Sequence, residues 1–216
     1  MSLASDAALL IYCDFAGDAR EHDDWHSHEH LRERLSIPGF VRGTRWAREG
    51  ESPRYMIIYE VSDAAIADSP GYLARLNDPS AWTRSIMPAV TGMARAACKV
   101  VAAAGYGLGG IALSVRFRAA PEFLAQQLSG LRLPTGVASA FLLEPAAPAP
   151  MTTEQSLRGR DAQPGWTLVV TGHDAGALRS LADALCSKGG NMVETDTALF
   201  SLQHTVTAGE AVRTQP

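Results

Sequence analysis

A chain of 216 residues with 46% hydrophobic and 19% charged residues is long enough for one large or two small cores and can fold without disulfide staples. A formal charge of -4, with acids and bases interspersed, excludes the basic footprint that phosphate backbones require, so no nucleic acid is expected as a partner. Three widely spaced cysteines in apolar stretches, Cys13, Cys98 and Cys186, offer neither a disulfide framework nor a paired metal or redox motif, and read as core thiols in a reducing compartment.

The start of the chain lacks a basic region, and the apolar run after it soon turns polar, so residues 8–15 read as a strand and not as a signal peptide. No uncharged apolar stretch reaches the ~18 residues of a membrane helix. A cytoplasmic protein is therefore expected, with no membrane partner. Asp23 or Asp24 can cap a helix running to about Ser36, where Pro38 and Gly39 stop it. Strand-like runs at 41–46 and 55–61 flank the turn Glu49-Gly50-Glu51-Ser52-Pro53 and predict a hairpin. Asp63 caps a helix from 64 towards 76, interrupted at Pro70-Gly71; a short helix follows Pro79, and a fourth strand spans 93–102. The order is βαββαβ.

Beyond the glycine-rich 105–110 the order repeats: strand 111–117, helix 121–131, strands 137–143 and 166–171, helix 175–187, strand 198–206. Short windows repeat too. Ile37-Pro38-Gly39-Phe40-Val41 corresponds to Leu133-Pro134-Thr135-Gly136-Val137, and the strand entering Asp63-Ala64 corresponds to that entering Asp174-Ala175. The proline-rich stretch 145–164 reads as an exposed loop, and 209–216 as a fraying end. Gly105-Tyr106-Gly107-Leu108-Gly109-Gly110 lacks a P-loop lysine and precedes a strand, so it is a linker and not a phosphate cradle.

A four-stranded antiparallel sheet with both helices on one face leaves its other face apolar. The expected fold is thus α+β, with two tandem ferredoxin-like βαββαβ units whose antiparallel sheets pack face to face as an intramolecular dimeric α/β barrel. Residues 1–104 would form the first unit, with the histidine-rich helix, and 105–216 a second, degenerate one. Edge strands could still pair between chains in a homo-oligomer.

Four of the six histidines fall in His22-Asp23-Asp24-Trp25-His26-Ser27-His28-Glu29-His30. Neutral imidazoles near pH 7 can move protons or bind metals. On a wheel of 100° per residue, Trp25, Leu31 and Leu35 define the apolar side and His28 joins it, whereas His26, His30 and Glu33 lie opposite. His26 and His30, four apart, could share a metal, but spacing fixes no third ligand, so no metal is expected. A solvated histidine-rich face is the plainer reading. Against it, alignment through the helix-ending proline turns His26, His30 and Arg34 into Glu122, Gln126 and Gly130 while the apolar pattern persists. Arg42 and Arg45 lie on opposite faces of the second strand, Tyr12 and Tyr59 are strand tyrosines, and Arg95 on the fourth strand is a further candidate for an anion.

Trp25, Glu29-His30-Leu31, Glu33-Arg34-Leu35, Ile37-Pro38-Gly39-Phe40, Arg42 and Arg45-Trp46 together resemble the opening helix and second strand of EthD-like proteins of the dimeric α/β-barrel superfamily, over roughly the first 100 residues. The resemblance implies a ferredoxin-like fold and puts His30, not the wheel's His28, at the matching histidine. The superfamily includes cofactor-free monooxygenases and isomerases, and haem-binding peroxidases and dehydratases. This chain has no recognisable haem-ligand motif, and its histidine-poor second unit departs from single-unit members with two equal sites.

The expectation is a small-molecule catabolic enzyme without a cofactor, an isomerase or oxygenase, with one pocket between sheet and helices of the first unit. His28 or His30 would be the general acid/base, Arg45 would hold an anionic or enolic oxygen, and Trp25, Tyr12 and Tyr59 would wall the pocket. The alternative is a non-catalytic ligand carrier whose histidines sit in solvent.

Overall fold

The computed structural model describes residues 2–148, 151–187 and 194–213. Its strands are β1 (Ala7–Phe15), β2 (Phe40–Ala47), β3 (Tyr55–Val61), β4 (Val90–Gly105), β5 (Ile111–Phe117), β6 (Val137–Pro145), β7 (Trp166–Gly172) and β8 (Glu194–Thr207). Along the first four the lateral order is β4-β1-β3-β2, and along the last four β8-β5-β7-β6, the same arrangement twice. Antiparallel pairing of β2 with β8 and of β4 with β6 joins the two sheets into one closed barrel. This is the α+β fold of the dimeric α/β barrels, with both halves in one chain. Each of the eight strands has two neighbours, so no edge strand stands open among the described residues.

Strand alternation sorts side chains into two layers. Leu10, Tyr12, Met56 and Ile58 from one half meet Phe141, Leu143, Val169 and Phe200 from the other in the barrel interior. Their neighbours Leu9, Ile11, Cys13, Ile57 and Tyr59 point outward and are covered by helices. The second half repeats this with Leu113, Val115, Leu142 and Leu168 beneath Leu124, Leu128 and Leu178. Cys13 and Cys98 are free and buried, and burial pushes both thiols up to about 12; Cys186 is only half-buried.

The helices are α1 (Ala19–Trp25), α2 (Leu31–Leu35), α3 (Pro70–Asn77), α4 (Ala81–Ile86), α5 (Glu122–Leu128), α6 (Thr153–Ser156), α7 (Ala175–Cys186) and α8 (Ala208–Arg213). A π-helical turn, His26–His30, joins α1 to α2. Asp18, and not Asp23 or Asp24, caps α1, its carboxylate accepting from the Arg20 N–H at 2.9 Å. The interruption expected at Pro70-Gly71 is present: a 3-10 segment, Ala64–Asp68, ends before Ser69 caps α3.

The repeat is visible in backbone geometry. Gly39 (φ 99) accepts from the Ser62 N–H at 2.7 Å, and Gly136 (φ 93) accepts from the His173 N–H at 2.9 Å. A Cβ at either glycine would come within 2.7 Å of a side chain of the next helical segment, Ile66 or Asp174. Gly39 and Gly136 are therefore the equivalent residues, one position off the alignment through the prolines. The residue pairing of His26 with Glu122 falls with that shift; what holds is that α5 buries Leu124 and Leu128 and no imidazole.

Two loop expectations are corrected. Within 145–164 the chain forms α6, closed by a capping box between Thr152 and Gln155, and buries Thr152, Glu154 and Gln155. Of 209–216, the part up to Arg213 belongs to α8, with Ala211 in the core, while 214–216 lie outside the described residues.

Candidate functional site

The π turn decides which histidines face the sheet. The Leu31 N–H bonds to the His26 carbonyl five residues back, so one extra residue is wound into the helix there. A wheel at 100° loses phase at that point. Residues four apart instead line up, and His22, His26, His30 and Arg34 are 1%, 1%, 7% and 2% exposed. His28, expected inward, lies on the solvent side, with its side chain 70% exposed and Nδ1 2.8 Å from an Asp24 carboxylate oxygen.

The three inward imidazoles form a row, with ring centroids 5.8 Å apart from His22 to His26 and 5.6 Å from His26 to His30. His22 stacks on Tyr55 at 4.2 Å and Trp25 lies 4.3 Å from His30. Tyr59 Oη is 3.2 Å from His26 Nε2. The helix approaches the sheet this closely because β2 carries Gly43: a Cβ there would sit 2.5 Å from Leu31 Cδ2 and 3.0 Å from the Tyr59 ring. Trp25 Nε1 donates to Thr83 Oγ1 at 3.2 Å, and Thr83 donates to Glu29 at 3.2 Å, which ties the row to α4.

Burial, and then the guanidinium of Arg45, hold His26 well below the usual imidazole range; burial, and then Arg34, do the same for His30. Both rings are neutral at pH 7. His26 Nδ1 and His30 Nδ1 are buried with no hydrogen-bond partner. Burial raises the Tyr59 phenol, so it stays protonated.

Between this row and β1, β3 and β4 is a cavity of about 30 Å³, with Trp25, Tyr59, Tyr72 and Arg95 in its walls and Glu154 and Arg158 contributed by the second half. Arg34 Nη2 donates to Glu154 at 2.5 Å, both side chains buried. Arg158 Nη2 and Arg95 Nε reach Asp161 at 2.9 and 3.0 Å, and Arg95 Nη1 donates to Tyr72 Oη at 3.1 Å. The segment read as a loop thus closes one side of the first half's cavity.

The structure brings together His30, Trp25 and Tyr59 from the expected set. Tyr12 is not with them: it is the inward member of its strand and lies in the barrel, Oη 2.5 Å from Ser114 Oγ, its phenol raised to about 12 by burial. Arg45 is 3% exposed and outside the cavity walls. Its guanidinium donates to Gln203 at 2.9 Å, Ser27 at 3.1 Å and the Asp23 carbonyl at 3.3 Å, fastening α1 to the barrel instead of facing a ligand. His26, Arg34, Tyr72, Glu154 and Arg158 were not expected in the site. The four-residue spacing from His22 to Arg34 was a signal for two of them; nothing local marks Glu154 or Arg158. Among the described residues no three histidine, cysteine or carboxylate side chains are grouped to hold a metal.

Known structures share the whole architecture. A protein described as anthrone oxidase-like superposes with a TM-score of 0.62 at 12% identity, covering 98% of this chain and 97% of its own. A candidate monooxygenase from Fusobacterium nucleatum gives 0.56 at 11%, covering 95% and 96%. A candidate chlorite dismutase gives 0.53 at 9%, covering 96% and 97%. At such identities the likeness is one of fold. No family model and no curated protein matches the chain. Among the described residues no helix is long and apolar enough to cross a membrane.

Proposed function

We propose that the chain is a small-molecule oxygenase-type enzyme, EthD-like in kinship, that uses histidine acid/base chemistry in its first half and needs no cofactor for the proton step. The observation that carries the reading is the row of neutral, buried imidazoles in a cavity wall, with His26 Nδ1 and His30 Nδ1 making no hydrogen bond and the Glu33 carboxylate 4.0 Å from the latter. Buried polar atoms without partners are rare in folded proteins and favour a ligand that completes them. The names of the structural neighbours, anthrone oxidase-like and candidate monooxygenase, support the same class.

His30 is the base. A substrate with an acidic C–H beside a carbonyl, such as a hydroxyaromatic ketone, loses that proton to the neutral ring, and the enolate formed is balanced by the new imidazolium. His26, bonded to Tyr59, is held as the adjacent polar group. An electron-rich enolate can hand one electron to dioxygen, and the carbon radical and superoxide then join as a peroxide that takes the proton back from His30 and loses water to leave a new carbonyl; returned to another carbon instead, the proton would give isomerisation. Oxygen consumption separates the two.

The test is oxygen uptake with 1,8-dihydroxy-9-anthrone, followed by a panel of small aromatic ketones and lactones. His30→Gln should lower turnover about 100-fold or more, the usual contribution of a positioned acid/base, and His28→Ala should leave it unchanged. Unchanged turnover in His30→Gln would overturn the assignment. Ligand binding without turnover, persisting after loss of both His26 and His30, would make the protein a carrier.

A further inference from the structure

The geometry points to a second space as the seat of the substrate's body: a groove of about 540 Å³ between α3, β4 and the residues of 146–148 and 151–163, with Arg95 holding an anionic oxygen where groove and histidine cavity meet. The chemistry rests on the oxygenase reading; the location does not.

A cavity of about 30 Å³ has room for the reacting C–H edge of a substrate and not for a whole aromatic ring system. The groove is within the range of small-molecule sites, about 300–1,000 Å³. Tyr72 and Arg95 stand in the walls of both, so the two spaces adjoin through those residues. Leu9, Leu73 and Met151 give the groove apolar walls for a planar body. Arg95 has five N–H donors; Nη1 donates to Tyr72 Oη at 3.1 Å and Nε lies 3.0 Å from an Asp161 carboxylate oxygen, which leaves donors over, and the side chain is 11% exposed. A phenolate or enolate oxygen can take those remaining donors in a charge-assisted bond.

The groove is already formed. The Arg95 N–H donates to the Ala162 carbonyl at 3.0 Å, the Ala162 N–H to the Met93 carbonyl at 2.9 Å, and the Thr153 N–H to Asn77 Oδ1 at 3.1 Å. The histidine-poor second half, through this segment, would then set specificity for the site carried by the first.

The probe is 1,8-dihydroxyanthraquinone, which has the rings and phenolic oxygens but no C–H to lose, titrated into the full chain by calorimetry. Ala97→Trp, which fills the groove from β4, and Arg95→Gln should each weaken binding about tenfold or more, with Arg95→Lys retaining most of it and His28→Ala, on the solvent side of the helix, binding within about twofold of wild type. Thermal unfolding of each variant reports folding, and Leu73→Trp fills the groove from α3 if Ala97→Trp is unstable. Wild-type affinity in folded Ala97→Trp or Leu73→Trp and Arg95→Gln overturns the proposal, as does no binding to wild type or a loss in His28→Ala as large as in the groove variants. The expected binding pattern without oxygen uptake would remove the oxygenase reading and leave the groove standing.

Discussion

Acidification should destabilise this protein through two specific rings. In the unfolded chain His26 and His30 titrate near 6.5, whereas in the folded chain burial, then Arg45 for His26 and Arg34 for His30, hold them well below that. The unfolded state therefore binds protons that the native state refuses, and stability present above about pH 6.5 is lost as the pH falls towards the folded values. For a ring still neutral at pH 5, the linkage integral from pH 7 to pH 5 is about 2 kcal/mol, or about 4 kcal/mol for both. That is a large share of the roughly 5–15 kcal/mol expected of a domain. Urea unfolding at pH 7 and pH 5 measures it. The wild-type loss should exceed that of His26→Gln or His30→Gln by about 2 kcal/mol, and that of the double variant by about 4 kcal/mol, whatever the carboxylates contribute. Equal losses in all four proteins would show that the rings are not buried and neutral as described.

Arg34→Met removes the hydrogen-bonded partner of the buried Glu154 carboxylate and leaves it only Arg158 at 4.0 Å, so it should cost about 2–4 kcal/mol in chemical unfolding, with Arg34→Met/Glu154→Leu recovering part of that. Tyr12→Phe removes the bond to Ser114 inside the barrel and should lower stability by about 1–2 kcal/mol while leaving steady-state turnover unchanged, since Tyr12 lies on the face away from the cavity. His28→Ala should change the unfolding free energy by less than about 0.5 kcal/mol, because its pair with Asp24 is solvent-exposed. Gly43→Ala should destabilise by about 1–3 kcal/mol, as its Cβ meets Leu31 and the Tyr59 ring, and should shift the near-ultraviolet signal of that tyrosine.

The amino-acid sequence by itself determined the βαββαβ order, its repetition and the stop at Pro38-Gly39, because alternation of apolar residues and the turn preferences of glycine and proline act over a few residues. It also marked the first helix as the place where polar chemistry concentrates, and His30, Trp25 and Tyr59 are in the cavity there. Tertiary structure decided the rest. Closure of the barrel is made by β2–β8 and β4–β6 pairing, which joins residues remote in sequence and leaves no local pattern. The π turn adds one residue to the winding, so a fixed 100° wheel put His28 inward and His26 outward when the packed helix has them the other way round. Arg45 and Tyr12 were legible as polar groups on strands, but which of them faces a ligand depends on what packs above each face. Glu154 bonds to Arg34 across 120 positions of sequence, and a short polar stretch carries no local sign of the buried cation it will meet. Such a contact exists only once the chain has folded back on itself, because buried charge is tolerated only where a partner arrives with it.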